Sequence, residues 1–298
     1  MKSIRNIKFI SLFLLIFVSG YFEVFTRVSI AQNSDVEKTI SSLPAGPIAN
    51  KNQYDISQLK TLFRYDLSKP LDVKEKVMSD KDGVRILDIT FTGVTKKDVD
   101  AFLVLPSGKR PVPVVLFVHW GFGRRSQFLD ESKLLAKTGI GSLLVSVPFG
   151  DSKQHFIQTI IKLRRAIDLL VADQRIDSTR IGYVGHSWGG TLGGLLAGIE
   201  NRIRAYVLMA GFPSYAKYAN REDLEILAGI HYVAHSAPAA LMFQFAGDDA
   251  FVSRDDAEQY YETADEPKAI RWYDRTTHNF DNETARLDRF NWLHEQLD

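Results

Sequence analysis

The chain reads as an α/β protein built on a mostly parallel, doubly wound sheet with antiparallel strands at its N-terminal side. Three observations predict this. From residue 114 onward, short continuous apolar runs, VVLFVH at 114–119 foremost, have the composition of strands buried on both faces. These runs alternate with segments of helical spacing, which is the rhythm of β-α-β units. Before residue 114 the pattern differs: VRILDITFT alternates apolar with polar residues and follows the turn formers Lys81, Asp82 and Gly83, as an antiparallel hairpin requires.

Composition sets the outer bounds. With 298 residues, 45% hydrophobic and 24% charged, the chain can bury one large core. Its 37 basic and 36 acidic residues are mixed along the sequence, so no basic footprint for nucleic acid exists. The absence of cysteine excludes disulfides, thiolate metal sites, a cysteine nucleophile and a lipid-modified N-terminal cysteine.

In chain order, Lys2, Arg5 and Lys8 precede an apolar run at 9–22, shorter than the roughly 20 residues a spanning helix needs. This is the form of a secretory signal, with Ser29 and Ala31 at the cleavage spacing and Gln32 opening the mature chain. An uncleaved anchor facing outside the cytoplasm is the alternative, and the only membrane association the sequence suggests. Residues 1–31 are therefore read as signal peptide or anchor, and the protein as secreted or periplasmic. Residues 32–72 are a polar linker and a short lead-in helix, in which Ile56, Leu59, Leu62 and Phe63 share one face. Residues 73–298 form the main domain. Its strands are expected at VKEKV, VRILDITFT, VDAFLVLP, 114–119, 143–147, 181–184, 205–209, 240–245 and 269–273. Helices are expected at 156–171, 255–264 and 284–297, with one or two short helices between 210 and 239.

The pattern G-x-S-x-G, residues 185–189, falls where the strand at 181–184 must turn into a helix. A serine at such a turn stands clear of the sheet in a strained backbone, and flanking glycines let strand and helix approach. Ser187 is the candidate nucleophile. Asp249, in GDDAFV, and His278, in THNFD, follow two later strands, and side chains at the carboxyl ends of parallel strands gather at one edge. A hydroxyl needs a base as it attacks, and imidazole, with an ordinary pKa of roughly 6.5, suits the task. His278 is that base, and Asp249 holds its other ring nitrogen protonated. Negative charge on the substrate oxygen needs backbone donors. Trp188 N–H is one; Gly121 or Phe122, in the HWGFG loop, supplies the second.

FVHWGFG, YVGHSWGG, AGDDAFV and THNF, in this order, resemble the dienelactone-hydrolase-like branch of the α/β-hydrolases, and more distantly prolyl-oligopeptidase-type catalytic domains. The resemblance spans most of 59–297 and implies an α/β-hydrolase fold, with the family's motifs carrying over to Ser187, Asp249, His278, Trp188 and the HWGFG loop; the segments after 147 and after 209 are too short for a large lid, and no cofactor or metal is expected. Two departures matter. The enzyme that names the branch uses a cysteine nucleophile, absent here, so lactone specificity does not transfer. Trp120 stands where relatives often have glycine, which leaves the second oxyanion donor open between Gly121 and Phe122.

Other residues have more ordinary readings beside the functional one. Asp248 competes with Asp249 and is expected to be a turn former. His119 is expected below the oxyanion loop. His231 and His235 have the i, i+4 spacing of zinc ligands but lack the metalloprotease glutamate, and are expected near the pocket or on the surface. Trp120, Phe149, Phe212 and Arg124 are assigned to a shallow, open substrate pocket. The expected function is an exported carboxylesterase acting on small-molecule esters. A serine peptidase or acyl-aminoacyl hydrolase is one alternative, and a non-catalytic binding protein on the same fold is the other.

Overall fold

The computed structural model describes residues 54–93, 98–108 and 111–298. The signal-peptide reading and the linker up to residue 53 lie outside the described residues. Among those described, no helix is long and apolar enough to cross a membrane.

The lead-in segment forms helix α1, Ile56–Thr61, capped by Asp55, whose carboxylate accepts from Ser57 N–H at 2.8 Å. It ends at Thr61, before Leu62 and Phe63, which the sequence placed on the same helical face. Leu59 and Phe63 are buried, and Arg164 donates to the Phe63 carbonyl at 2.9 Å, which fastens the segment to the body. Strands β1 (Lys74–Lys81), β2 (Val84–Thr92) and β3 (Asp98–Pro106) then run antiparallel. The β1–β2 turn has φ of 53° at Asp82 and 77° at Gly83, the double positive φ that suits a tight hairpin and that Asp-Gly adopts readily. β2 buries Val84, Leu87, Ile89 and Phe91, the alternation read from sequence.

From β4 (Val112–Val118) the chain alternates. Helix α2 (Leu129–Lys137), not anticipated from sequence, leads to β5 (Gly141–Val145). Helix α3 (Lys153–Ala172), with Ser152 as its cap, leads to β6 (Ile176–His186), and α4 (Trp188–Ala197) leads to β7 (Ile203–Met209). Between β7 and β8 (Ala240–Ala246) lie two short helices, α5 (Tyr215–Ala219) and α6 (Ile230–Val233), and a 3-10 turn at Glu222–Leu227. Helix α7 (Arg254–Thr263), strand β9 (Lys268–Tyr273) and helix α8 (Glu283–Leu297) complete the order.

Among the described residues nine strands form one sheet, β1-β2-β3-β5-β4-β6-β7-β8-β9, parallel from β5 to β9. β4 shows why its sequence is continuously apolar: Val114, Leu116 and Val118 join the core beneath α3 and α4, while Val115 and Phe117 face the second core, with Leu135 of α2 and Leu293 of α8. A buried ion pair, Arg289 Nε to Glu131 Oε1 at 2.7 Å, links α8 to α2 within that second layer. From β4 the chain winds through α2 to β5 on one side, then through α3 to β6 on the other. The carboxyl ends of β4 and β6 thus flank the point where winding reverses, where α/β sheets open a crevice.

Candidate active site

Ser187 occupies the single residue between β6 and α4, with φ 53° and ψ −105°. A non-glycine residue there costs about 1–3 kcal/mol and persists only when its surroundings enforce it. Enforcement is visible: Ser187 N–H donates to the Met209 carbonyl at 2.7 Å, and its carbonyl accepts from Thr191 N–H at 2.8 Å. Gly185 lies so close to Gly189 that a Cβ on it would strike the Gly189 backbone, and a Cβ on Gly189 would strike the Val118 carbonyl. Replacing Gly185 with alanine therefore destabilises the fold by ~3 kcal/mol or more, since backbone rather than a flexible side chain must give way. Chemical denaturation of Gly185→Ala checks this; a midpoint equal to wild type contradicts it.

The elbow presents the hydroxyl to a hydrogen-bonded chain. Ser187 Oγ lies 2.7 Å from His278 Nε2, and His278 Nδ1 lies 3.0 and 2.9 Å from the two Asp249 oxygens. Asp249 Oδ1 also accepts Phe251 N–H at 2.8 Å and Val252 N–H at 3.1 Å. Its side chain is 2% exposed, whereas Asp248 is exposed and donates its N–H to the Thr276 carbonyl. That bond ties the loop after β8 to the loop after β9, which brings acid and base together. The arrangement can move a proton from Ser187 to His278 while Asp249 stabilises the resulting imidazolium.

On the opposite side stands the loop after β4. His119 is buried; its Nε2 accepts Val147 N–H at 3.0 Å, so Nδ1 carries the proton and donates to the Trp120 carbonyl at 2.6 Å. Burial pushes its pKa down, which keeps the ring neutral. The same carbonyl accepts Gly123 N–H at 2.9 Å. In a trans peptide the Gly121 N–H points away from that carbonyl, hence away from His119. Neither Gly121 nor Phe122 donates its N–H to another backbone group among the described residues. Trp188 N–H, at the first position of α4, belongs to the helix-start donors that lack an intrahelical acceptor.

Aromatic rings surround these groups. Phe122 is 81% exposed, Phe149 38% and Trp120 36%, and their rings follow one another at 5.6 and 5.9 Å, forming an open shelf beside the loop. Phe149 meets the buried Trp188 ring at 5.0 Å, and Phe212 lies 6.1 Å from the His278 ring. Of the two arginines after the loop, Arg124 is exposed, whereas Arg125 pairs with Asp88 at 2.6 Å and lies over Phe102. His231 is neither at this site nor on the surface: it is buried against Glu225 at 3.0 Å and the Tyr54 ring, because α6 turns it inward. A cavity of about 450 Å³ lies at the other end of the sheet, where β6, β7 and β8 begin; it is lined by Lys60, Glu200, Arg202, Arg204 and Ser236. It contains none of the groups just described, and chemistry rather than volume identifies the site.

Two contributing residues escaped sequence reading. Gln127 and His186 bridge the loop after β4 and the loop holding His278. The only sequence signal was a histidine at the first variable position of G-x-S-x-G, where burial is expected.

A nine-stranded sheet of this order, carrying a serine elbow after β6, defines the α/β-hydrolase fold. Residues 99–292 match the model of the dienelactone hydrolase family, and the chain belongs to that family. It is therefore a hydrolase. Solved structures with the same fold include acetyl xylan esterase from Paenibacillus sp. R4, with TM-score 0.71, 17% identity, and 89% of this chain and 99% of that one covered. Acetyl xylan esterase 1 from Thermoanaerobacterium sp. JW/SL YS485 has TM-score 0.68 and 14% identity, covering 82% and 92%. A cold-adapted esterase from an Arctic intertidal metagenomic library has TM-score 0.59 and 16% identity, covering 76% and 98%. No curated protein matches the chain in sequence.

Proposed function

We propose that the protein is an exported serine carboxylesterase that works through an acyl-enzyme, with Ser187, His278 and Asp249 as its triad. The observation that carries this reading is the 2.7 Å approach of Ser187 Oγ to a His278 ring whose other nitrogen faces two Asp249 oxygens.

Ser187 Oγ attacks the ester carbonyl carbon as its proton passes to His278 Nε2. The carbonyl π bond breaks, and its electron pair comes to rest on the oxygen. Trp188 N–H and an N–H of Gly121 or Phe122 stabilise that oxyanion, each donor supplying a few kcal/mol. Collapse of the intermediate breaks the C–O bond to the alcohol, which leaves with the proton from His278. Water then repeats the sequence on the acyl-serine, releasing the acid and restoring the serine.

The open shelf of Trp120, Phe122 and Phe149, with Phe212 beside His278, suits esters presented from solution with a small acyl group. That the solved neighbours include enzymes named for acetyl esters agrees with a short acyl group. Two measurements test the reading. A fluorophosphonate probe is expected to label Ser187, and acetyl and butyryl esters are expected to turn over with higher kcat/KM than long-chain emulsified esters. Absence of label on folded protein makes the chain a binding module, and labelling with faster amide than ester cleavage makes it a peptidase. Export is checked by mass spectrometry of the mature N-terminus, expected at Gln32; an intact Met1 in the soluble fraction contradicts it.

A further inference from the structure

Four groups between the two halves of the site form one continuous hydrogen-bonded chain. Trp120 N–H, in the loop after β4, donates to Gln127 Oε1 at 2.9 Å. Gln127 Nε2 lies 2.8 Å from His186 Nδ1, and His186 Nε2 lies 2.7 Å from the backbone carbonyl of His278. Both ends are backbone groups, and each can act in only one sense. The Trp120 N–H can only donate, so it fixes which end of the Gln127 amide is oxygen. The other end is then NH₂, which can only donate, so His186 Nδ1 must accept. That leaves the ring proton on Nε2, where it meets a carbonyl that can only accept. Every donor along the chain has an acceptor when His186 is neutral and carries its proton on Nε2. Protonating Nδ1 sets N–H against N–H.

The surroundings of His186 favour that neutral form. The ring is buried, and burial pushes its pKa down to about 4, so it stays uncharged through the neutral range. The charged or titratable groups that face it are His278 and Asp249 of the site and Arg289 of α8. Arg289 is itself paired with Glu131 of α2. Phe280 packs edge-on against the His186 ring at 5.9 Å. The chain thus crosses behind Ser187, and His186 is the residue immediately before the nucleophile.

We infer that Gln127 and His186 are positioning residues, which hold the oxyanion loop and the loop carrying the base at a fixed separation around Ser187. The inference rests on the serine-esterase reading of the site. Neither residue touches the ester. Their action is to set where Gly121 and Phe122 stand relative to His278, and a misplacement near 1 Å at such groups costs on the order of 100-fold in rate.

The tests use substitutions at Gln127, an exposed residue on its loop, with thermal melts to establish that each variant folds. Gln127→Leu removes both of its bonds. It is expected to lower kcat on the order of 10- to 100-fold while KM stays within about twofold. Gln127→Glu keeps an acceptor for Trp120 N–H but sets a carboxylate oxygen against Nδ1. The chain then closes only with one extra proton, held between that carboxyl and Nδ1. That proton is bound at lower pH and lost as pH rises, so this variant is expected to gain a falling limb on the alkaline side of its rate profile. Wild type is expected to lack that limb. A kcat for Gln127→Leu within about twofold of wild type, a loss carried mainly by KM, or a Gln127→Glu profile parallel to wild type overturns the inference. Nitrogen-15 NMR of His186 reads the chain without turnover: protonation at Nε2 is expected, and protonation at Nδ1 overturns it. Activity surviving Ser187→Ala instead overturns the esterase reading, and the NMR result then still tests the chain.

Discussion

Ser187→Ala is expected to lower kcat for ester hydrolysis on the order of 10⁶-fold, the scale seen when a triad nucleophile is deleted. The hydroxyl, on the residue just after β6, lies 2.7 Å from the His278 ring, and alanine leaves nothing there to form the acyl-enzyme. What remains is the oxyanion donors and binding, which alone hold water and ester together far less effectively. The backbone conformation is unchanged by alanine, so melting temperature and fold stay close to wild type. Ser187→Gly removes the same hydroxyl and also relieves a φ of 53°, so it is expected to be equally inactive yet more stable by ~1 kcal/mol. Steady-state kinetics and thermal melts on both variants check this. Hydrolysis at more than a small fraction of wild type by either variant assigns the chemistry elsewhere.

Asp249→Asn is expected to cost roughly 10⁴-fold in kcat, with little change in KM. The reason lies in the groups that surround the carboxylate. Asp249 Oδ1 accepts the N–H groups of Phe251 and Val252, and an asparagine must place its oxygen there to keep both bonds. Its NH₂ is then forced toward His278 Nδ1. A donor at that position selects the ring tautomer with the proton on Nε2, which faces Ser187 Oγ with an N–H instead of a lone pair. The base is intact and correctly placed, yet holds its proton on the wrong nitrogen. A kcat within about tenfold of wild type is the result that refutes this account.

The two predictions differ in how far they could be drawn from sequence. Ser187 is legible because the elbow is local: strand, two glycines and helix are consecutive, and the close approach of Gly185 and Gly189 leaves a compositional mark. His278 and Asp249 are legible because each follows a segment that reads as a strand, β8 a fully buried apolar run and β9 the edge strand KAIRWY, of which only Tyr273 is buried. Between Asp248 and Asp249 the sequence offered only a preference; in the fold the Asp249 carboxylate faces His278 Nδ1 at 2.9 Å, while Asp248 N–H bonds to the Thr276 carbonyl.

Helix α2 was missed for a related reason. Its sequence LDESKLLAK is only nine residues long, and half of its buried face is polar, Glu131 and Ser132 beside Leu135 and Ala136, so few apolar residues mark it. Burial rules place Glu131 outside until Arg289, more than a hundred residues later, is seen to pair with it. His231 fails in the opposite direction. With the zinc-like spacing to His235 set aside, it was expected near the pocket or on the surface, whereas contacts with Glu225 and Tyr54 place it inside.

By itself, the sequence determined the class of sheet, the antiparallel entry, the elbow and the identity of its serine, because these follow from side-chain periodicity and from backbone geometry over a few consecutive residues. Tertiary structure alone decided how the loops after β4, β8 and β9 meet. That depends on strand order and on polar bonds between residues far apart in the chain, Gln127 to His186 and Asp248 to Thr276 among them, and no local pattern encodes a partner's distance or the direction in which its proton points.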